Sequence, residues 1–507
     1  MKSATLVVAV LAALCGCAAG PDYQRPALAL PHSYGALDDS RFAIGSAIQA
    51  DWWTVFHAPA LDALIAQALR SNQSIETADA ALAAANEALA AQRAAWWPTV
   101  SAGYTPTRTK LAGNLGGNSP GVQGNGSVIS TTQNSPASDG GTAPFNAPVI
   151  YSFHTAQLSV AYNPDVFGAN RRQVESAEAQ RQYQRFQLTA AALTVASNVA
   201  AAAFQDAVLR YQIGVQTQII AAGEQAVALA QRQRQAGLIS GVELAAQQAA
   251  LAQAKQALPM LQKQAAQNRG VLRLLAGIAP DGALPGFDLA DFTLPQRLPL
   301  SLPSALIEQR PDVQAAEAQL QAASAQVGIA HAARLPQLSL TGNVGGAASQ
   351  FGQMFWSSGK FFDLTANLAQ TLFDGGALKH RELAASQALR GAIASYRLTV
   401  ASACQNVADV LQALETDGAA VQAADASLAA ARAAAALTRR QHQYGALDGL
   451  ALIAAEQNER AADAAQAQAR AALLTDTAAL FQALGGGWQG APAPLHVSAK
   501  GNEHEQH

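Results

Sequence analysis

The chain has 507 residues, 50% hydrophobic but only 6% aromatic and 13% charged. Much of the apolar half is alanine, which favours helix yet adds little bulk to a core, and the charged share is about half the usual ~25%; a highly charged disordered chain and a set of thick-cored enzyme domains are both poor fits. A net charge of −3 without a basic stripe leaves no electrostatic footprint for nucleic acid.

At the start, Met1-Lys2 is a short positive segment and Ala4 to Leu14 an apolar run. The run falls short of the ~20 residues a helix needs to span a bilayer and suits the apolar region of an export signal. Leu14-Cys15-Gly16-Cys17 follows and resembles the lipobox of bacterial lipoproteins, where the signal is cut before a cysteine that is then lipid-modified. Cutting before Cys15 would put bulky Leu14 at the small-residue position, so Cys17 is the expected lipidation site. It would carry N-acyl and S-diacylglycerol groups, and several chains anchor stably where one does not. Ala18, where Asp would imply inner-membrane retention, points to the outer membrane. With Cys17 acylated, Cys404 has no disulfide partner and is expected as a small buried hydrophobe in the helical run Thr399 to Leu414.

Next comes a unit written twice. Asn72–Ser101 lies over Arg310–Ser339 without a gap, matching Leu82 to Leu320 and Pro98 to Pro336. Each proline closes a helix just before an alternating stretch. Thr99 to Tyr104 and Gln337 to Val344 alternate, as do their return partners Ala156 to Tyr162 and Leu364 to Gln370. Such period-two stretches predict two β-hairpins, each with one apolar and one polar face. The segment Leu111 to Ile150 is rich in Gly, Ser, Asn and Thr; such a loop is unusual inside a compact domain but normal outside a membrane hairpin. Aromatics gather near the strand ends at Trp96-Trp97, Tyr151, Phe153, Phe355-Trp356 and Phe361-Phe362. Four strands cannot close a membrane barrel, and open edges are not tolerated in lipid. Two copies would give eight strands with a lumen filled by side chains; three give twelve and a useful bore, so three is the expected number.

Two stretches without proline, Ala169 to Gln235 and Ala377 to Gln443, predict helices of about 100 Å at ~1.5 Å per residue. Ile213, Ile220 and Val227 recur at heptad spacing. Each helix stops at a glycine, Gly237 or Gly445, beyond which a second helix returns antiparallel.

With these features in place the chain resembles the TolC-like outer-membrane factors of tripartite efflux pumps, specifically their lipoprotein branch, the NodT family. The resemblance rests on Gly20-Pro21-Asp22-Tyr23, Asp165-Val166-Phe167-Gly168, Arg310-Pro311-Asp312-Val313, Phe373-Asp374-Gly375-Gly376 and Ala483 to Trp488, in that order along the chain. It implies a mainly α fold with membrane β structure: a homotrimer whose twelve-stranded transmembrane β-barrel continues into a long periplasmic α-helical barrel, with two internal repeats per chain. The expected segments are 1–16 (signal peptide), 17–62 (lipid-anchored N-terminal segment), 63–303 and 304–488 (the repeats) and 489–507 (tail). Pro280–Ser304 and the segment after Trp488 would form an equatorial belt.

The implied function is passive export of antibiotics or other toxic small molecules from the periplasm. The partners would be a periplasmic membrane-fusion adaptor, an inner-membrane RND-type pump and outer-membrane lipid, with no nucleic acid. The resemblance places adaptor contact and the aperture at the tips, at Gly237, Leu238 and Ser240 and at Gly445 and Ala446. The family commonly has Leu-Asp-Ala beyond the second tip; here Ile453-Ala454-Ala455 stands there, leaving Glu243 or Asp448 as a candidate lumen charge ring, or as plain tip surface charges. No catalytic or metal set is expected: nine His are scattered, and Glu503 to His507 reads as a frayed tail. The alternatives are a type I secretion conduit for polypeptides and a trimeric coiled-coil adhesin.

Overall fold

The computed structural model describes residues 20–28, 34, 41–46, 48–110, 120–122, 128–130 and 150–488. The signal segment, Cys17, most of the stretch expected as an external loop, and the tail 489–507 lie outside the described residues.

In chain order the helices are α1 (Pro59–Ser71), α2 (Gln73–Ala94), α3 (Ala169–Gln235), α4 (Gly241–Leu275), α5 (Pro303–Gln309), α6 (Pro311–Ala332), α7 (Ala377–Gln443) and α8 (Gly449–Ala483). The strands are β1 (Phe42–Ile44), β2 (Thr99–Lys110), β3 (Pro120–Val122), β4 (Val128–Ser130), β5 (Ile150–Tyr162), β6 (Leu298–Leu300), β7 (Gln337–Ala348) and β8 (Lys360–Ala369). Both α3 and α7 have 67 residues, α4 and α8 both 35, and α2 and α6 both 22. The described residues pack as two compact units, to each of which both expected halves contribute: those within 20–25, 85–180 and 320–392, and those within 26–84, 181–319 and 393–488.

The first unit holds one four-stranded antiparallel sheet in the order β2-β5-β7-β8. The strands are longer than the alternating stretches suggested, and the two hairpins are not separate. His154 to Tyr162 of β5 pair with Ala348 to Leu340 of β7 and join them. The helix starts that follow β5 and β8 are held alike. The Asp165 carboxylate accepts from the amides of Asn170 (2.9 Å) and Arg171 (2.8 Å). Asp374 accepts from those of Gly376 (2.8 Å) and Leu378 (2.7 Å), and the Leu378 amide foremost holds its carboxyl below the usual range. Arg172, almost wholly buried, ties the N-terminal segment to α3 by pairing with Asp22 (2.7 Å) and Glu175 (2.7 Å).

Among its described residues the second unit is helical, apart from one parallel pair that matches Phe42 to Leu298 and Ile44 to Leu300. Its core is aromatic. Trp52 stacks on Phe481 at 5.3 Å, while Phe204 meets both Phe56 (4.9 Å) and Phe292 (4.8 Å) edge-on. Along the helices the packing residues are small: α3 buries Val195, Ala196, Val199, Ala200, Ala203 and Ala207, which lets long helices approach closely. Part of α3 is apolar enough to cross a bilayer on length and composition, but these buried side chains are covered by protein. Cys404 is only half-buried, beside Arg310, and burial pushes its thiol up.

Candidate functional site

Register decides what the sheet can do. Val100 pairs with Val160, Leu158 with Val344, Val344 with Phe362, Gly342 with Leu364 and Leu338 with Leu368. With side chains alternating across a strand, all of these share one face. That face is uncovered: Leu364 is 84% exposed, Phe362 83%, Leu368 68%, Val100 61% and Val344 55%. The opposite face carries Ser101, Thr105, Gln157, Ser159, Thr341, Asn343, Asp363 and Asn367. There the Asn343 amide donates to both Asp363 oxygens at 3.1 and 3.0 Å. An apolar outside and a polar inside is how a membrane barrel wall is built.

Aromatic and large apolar side chains bound the apolar face at both ends. Trp96, Trp97, Leu372 and Phe373 are exposed where the helices meet the strands. At the other end Tyr104 donates to or accepts from His154 Nδ1 at 2.9 Å and meets Phe351 edge-on at 5.7 Å; Phe355 and Trp356 are exposed nearby in the chain. The sheet's outer edges, one along β2 and one along β8, have no partner among the described strands.

The tips are built from helix-ending chemistry. At the first, the Gly237 amide reaches Arg234 O (3.0 Å) and the Leu238 amide Gln233 O (2.9 Å); at the second, Gly445 reaches His442 O and Ala446 reaches Gln441 O, both at 2.9 Å. Both are Schellman turns with glycine in the left-handed region, φ 72° and 73°. Ser240 and Glu243 form a capping box, the Ser240 amide on Glu243 Oε2 (2.6 Å) and the Glu243 amide on Ser240 Oγ (3.2 Å). Asp448 accepts from the Ala451 amide at 2.9 Å. Thus Glu243 and Asp448, candidates for a charge ring, each start a return helix. The two hairpins meet near the tips, where a Cβ on Gly449 would come 2.8 Å from Leu229 Cδ2.

Sequence reasoning missed several groups. Val242 and Tyr444 join Leu238 as exposed apolar side chains at the tips. Tyr211 on α3 hydrogen-bonds Asp463 on α8, which also holds Arg432 on α7 at 3.0 Å, and burial foremost pushes the phenol up to about 12. Among the described residues no group of three or more His, Cys, Asp or Glu could hold a metal.

The profile of the family described as outer membrane efflux protein matches residues 64–278 and 302–486, well over half of the chain. The pyoverdine export outer membrane protein OpmQ of Pseudomonas putida is 29% identical over 86% of this chain and 88% of its own. The toluene efflux pump outer membrane protein TtgC of Pseudomonas putida is 28% identical over 96% of each. The solved structure of the outer-membrane channel OprN superposes with a TM-score of 0.79 at 25% identity, covering 93% of this chain and 100% of that one.

Proposed function

The chain belongs to the outer membrane efflux protein family, and from that premise we propose that three copies close their sheets into one twelve-stranded barrel in the outer membrane. The long helices then form the periplasmic conduit. One observation carries the reading: a sheet with one exposed apolar face, one polar face and two edges that no described strand pairs. In lipid every backbone group must be bonded, so the β2 edge of one copy has to meet the β8 edge of the next. The two halves of the chain descend from one duplicated unit, as the equal helix lengths and the matched Asn72 and Arg310 support. Asn72 Nδ2 bonds Leu275 O at 2.8 Å and Arg310 Nη1 bonds Ala483 O at 2.7 Å, each at the end of a return helix.

The protein exports antibiotics or other toxic small molecules as the outer component of a tripartite system, contacting a membrane-fusion adaptor fed by an RND-type pump. Relatives named for pyoverdine and for toluene handle chemically unlike cargo, which supports a conduit whose selectivity resides in the pump. Leu238, Val242 and Tyr444 are the apolar tip groups offered to the adaptor. Gly237, Ser240, Gly445 and Ala446 shape those turns, and Glu243 and Asp448 bring negative charge to the aperture. Cys17 carries the lipid. Light scattering on the detergent-purified chain tests the reading: three copies are expected, and a stable monomer would end it. Deleting the gene should raise sensitivity to at least one toxic small molecule; unchanged tolerance across a broad panel counts against efflux.

A further inference from the structure

The charges on the sheet are sorted by face and by end. The alternation that places Val100, Ala102 and Tyr104 on the apolar face also places Arg108 and Lys110 there, at the end of β2. Lys360, the first residue of β8, pairs with Gly346, which lies opposite Ala156 and so in line with Tyr104. All three cations are therefore on the apolar face, beside and beyond the Tyr104–His154–Phe351 cluster, at the end away from the helices, and all three are exposed. Asp363, the only carboxylate on β2, β5, β7 and β8, is on the opposite face and engaged by Asn343. Among the described residues these three cations make no side-chain ion pair or hydrogen bond.

A cation facing hydrocarbon is costly at the bilayer midplane and nearly free at the interface. The aliphatic band from Leu368 to Phe362 gives way to Lys360, Arg108 and Lys110, so these side chains mark the headgroup level of the outer leaflet. We propose that Arg108, Lys110 and Lys360 form a lipid-facing site for the phosphate groups of the phosphorylated glycolipid in that leaflet. The guanidinium of Arg108 offers a planar fork that fits phosphate in bidentate fashion, and the two lysines act as point charges. The site rests on the barrel reading above: Arg108 and Lys110 lie on one outer edge of the sheet and Lys360 on the other, so each seam between copies collects all three.

The test uses the full chain in detergent with EDTA, so that no divalent ion bridges anions. Light scattering first fixes the copy number; a protein that is not trimeric overturns the barrel reading itself. The trimer is then incubated with bis-phosphorylated lipid A or with the same lipid A stripped of phosphate, and retained lipid is counted by native mass spectrometry. The phosphorylated form should be retained at least about fivefold more tightly, the factor expected for one charge near an anionic surface. R108A/K110A/K360A should lose that preference while remaining trimeric, and Arg108→Lys should keep part of it. Equal retention of both lipids by the unaltered trimer, or a preference unchanged in the triple variant, overturns the site.

Discussion

Four glycines end long helices in the same way and differ in what surrounds them. Gly237 and Gly277 both have positive φ, 72° and 65°. A Cβ on Gly237 would meet nothing within 4 Å, but one on Gly277 would sit 2.4 Å from Ser71 O. Gly237→Ala should therefore cost only the left-handed strain, about 1 kcal/mol. Gly277→Ala should cost clearly more, because backbone has to move; thermal unfolding of the two variants gives the comparison. Glu382 permits a pH prediction. His331 (2.8 Å) foremost, then Arg334, hold its carboxyl below the usual value of 4.5. A depressed folded-state value means this contact stabilises above about pH 4.5 and is lost as pH falls through the lower folded value. Followed by chemical denaturation, Glu382→Gln should lower stability near pH 8 and make the fall in stability below pH 5 less steep.

At the scale of elements, the return helices depend on their first turns. Ser240→Ala breaks one half of the capping box and should cost about 1 kcal/mol, read as faster amide hydrogen exchange in the first turn of α4. Asp448→Ala should do the same for α8. The prolines, the glycine stops and the long alanine-rich runs were all legible, because local backbone chemistry sets them. The Ser240-x-x-Glu243 spacing is equally legible as a capping box, a local role that Glu243 has beside its charge at the tip. What could not be read was pairing between distant segments. No turn joins β5 to β7, and the three-residue match of β1 with β6 has no pattern of its own. The aromatic centre around Trp52, Phe204, Phe292 and Phe481 draws on four segments scattered along the sequence, so only packing reveals it.

For the whole molecule, alanine richness and the repeated element order announced the helical hairpins, and alternation announced the strands of the four-stranded sheet. The expectation of three copies comes from elementary membrane physics rather than from any motif. The proposed lipidation at Cys17 and the proposed barrel closure can be tested separately. Cys17→Ala should abolish incorporation of labelled fatty acid while leaving the detergent-extracted protein trimeric; label persisting in that variant would move the anchor to Cys15. The edges along β2 and β8, unpaired among the described strands, also have a genetic consequence under the proposed barrel. If three copies share one wall as proposed, a defective allele expressed equally with the intact one should act dominantly, because only about one assembly in eight would escape a faulty member.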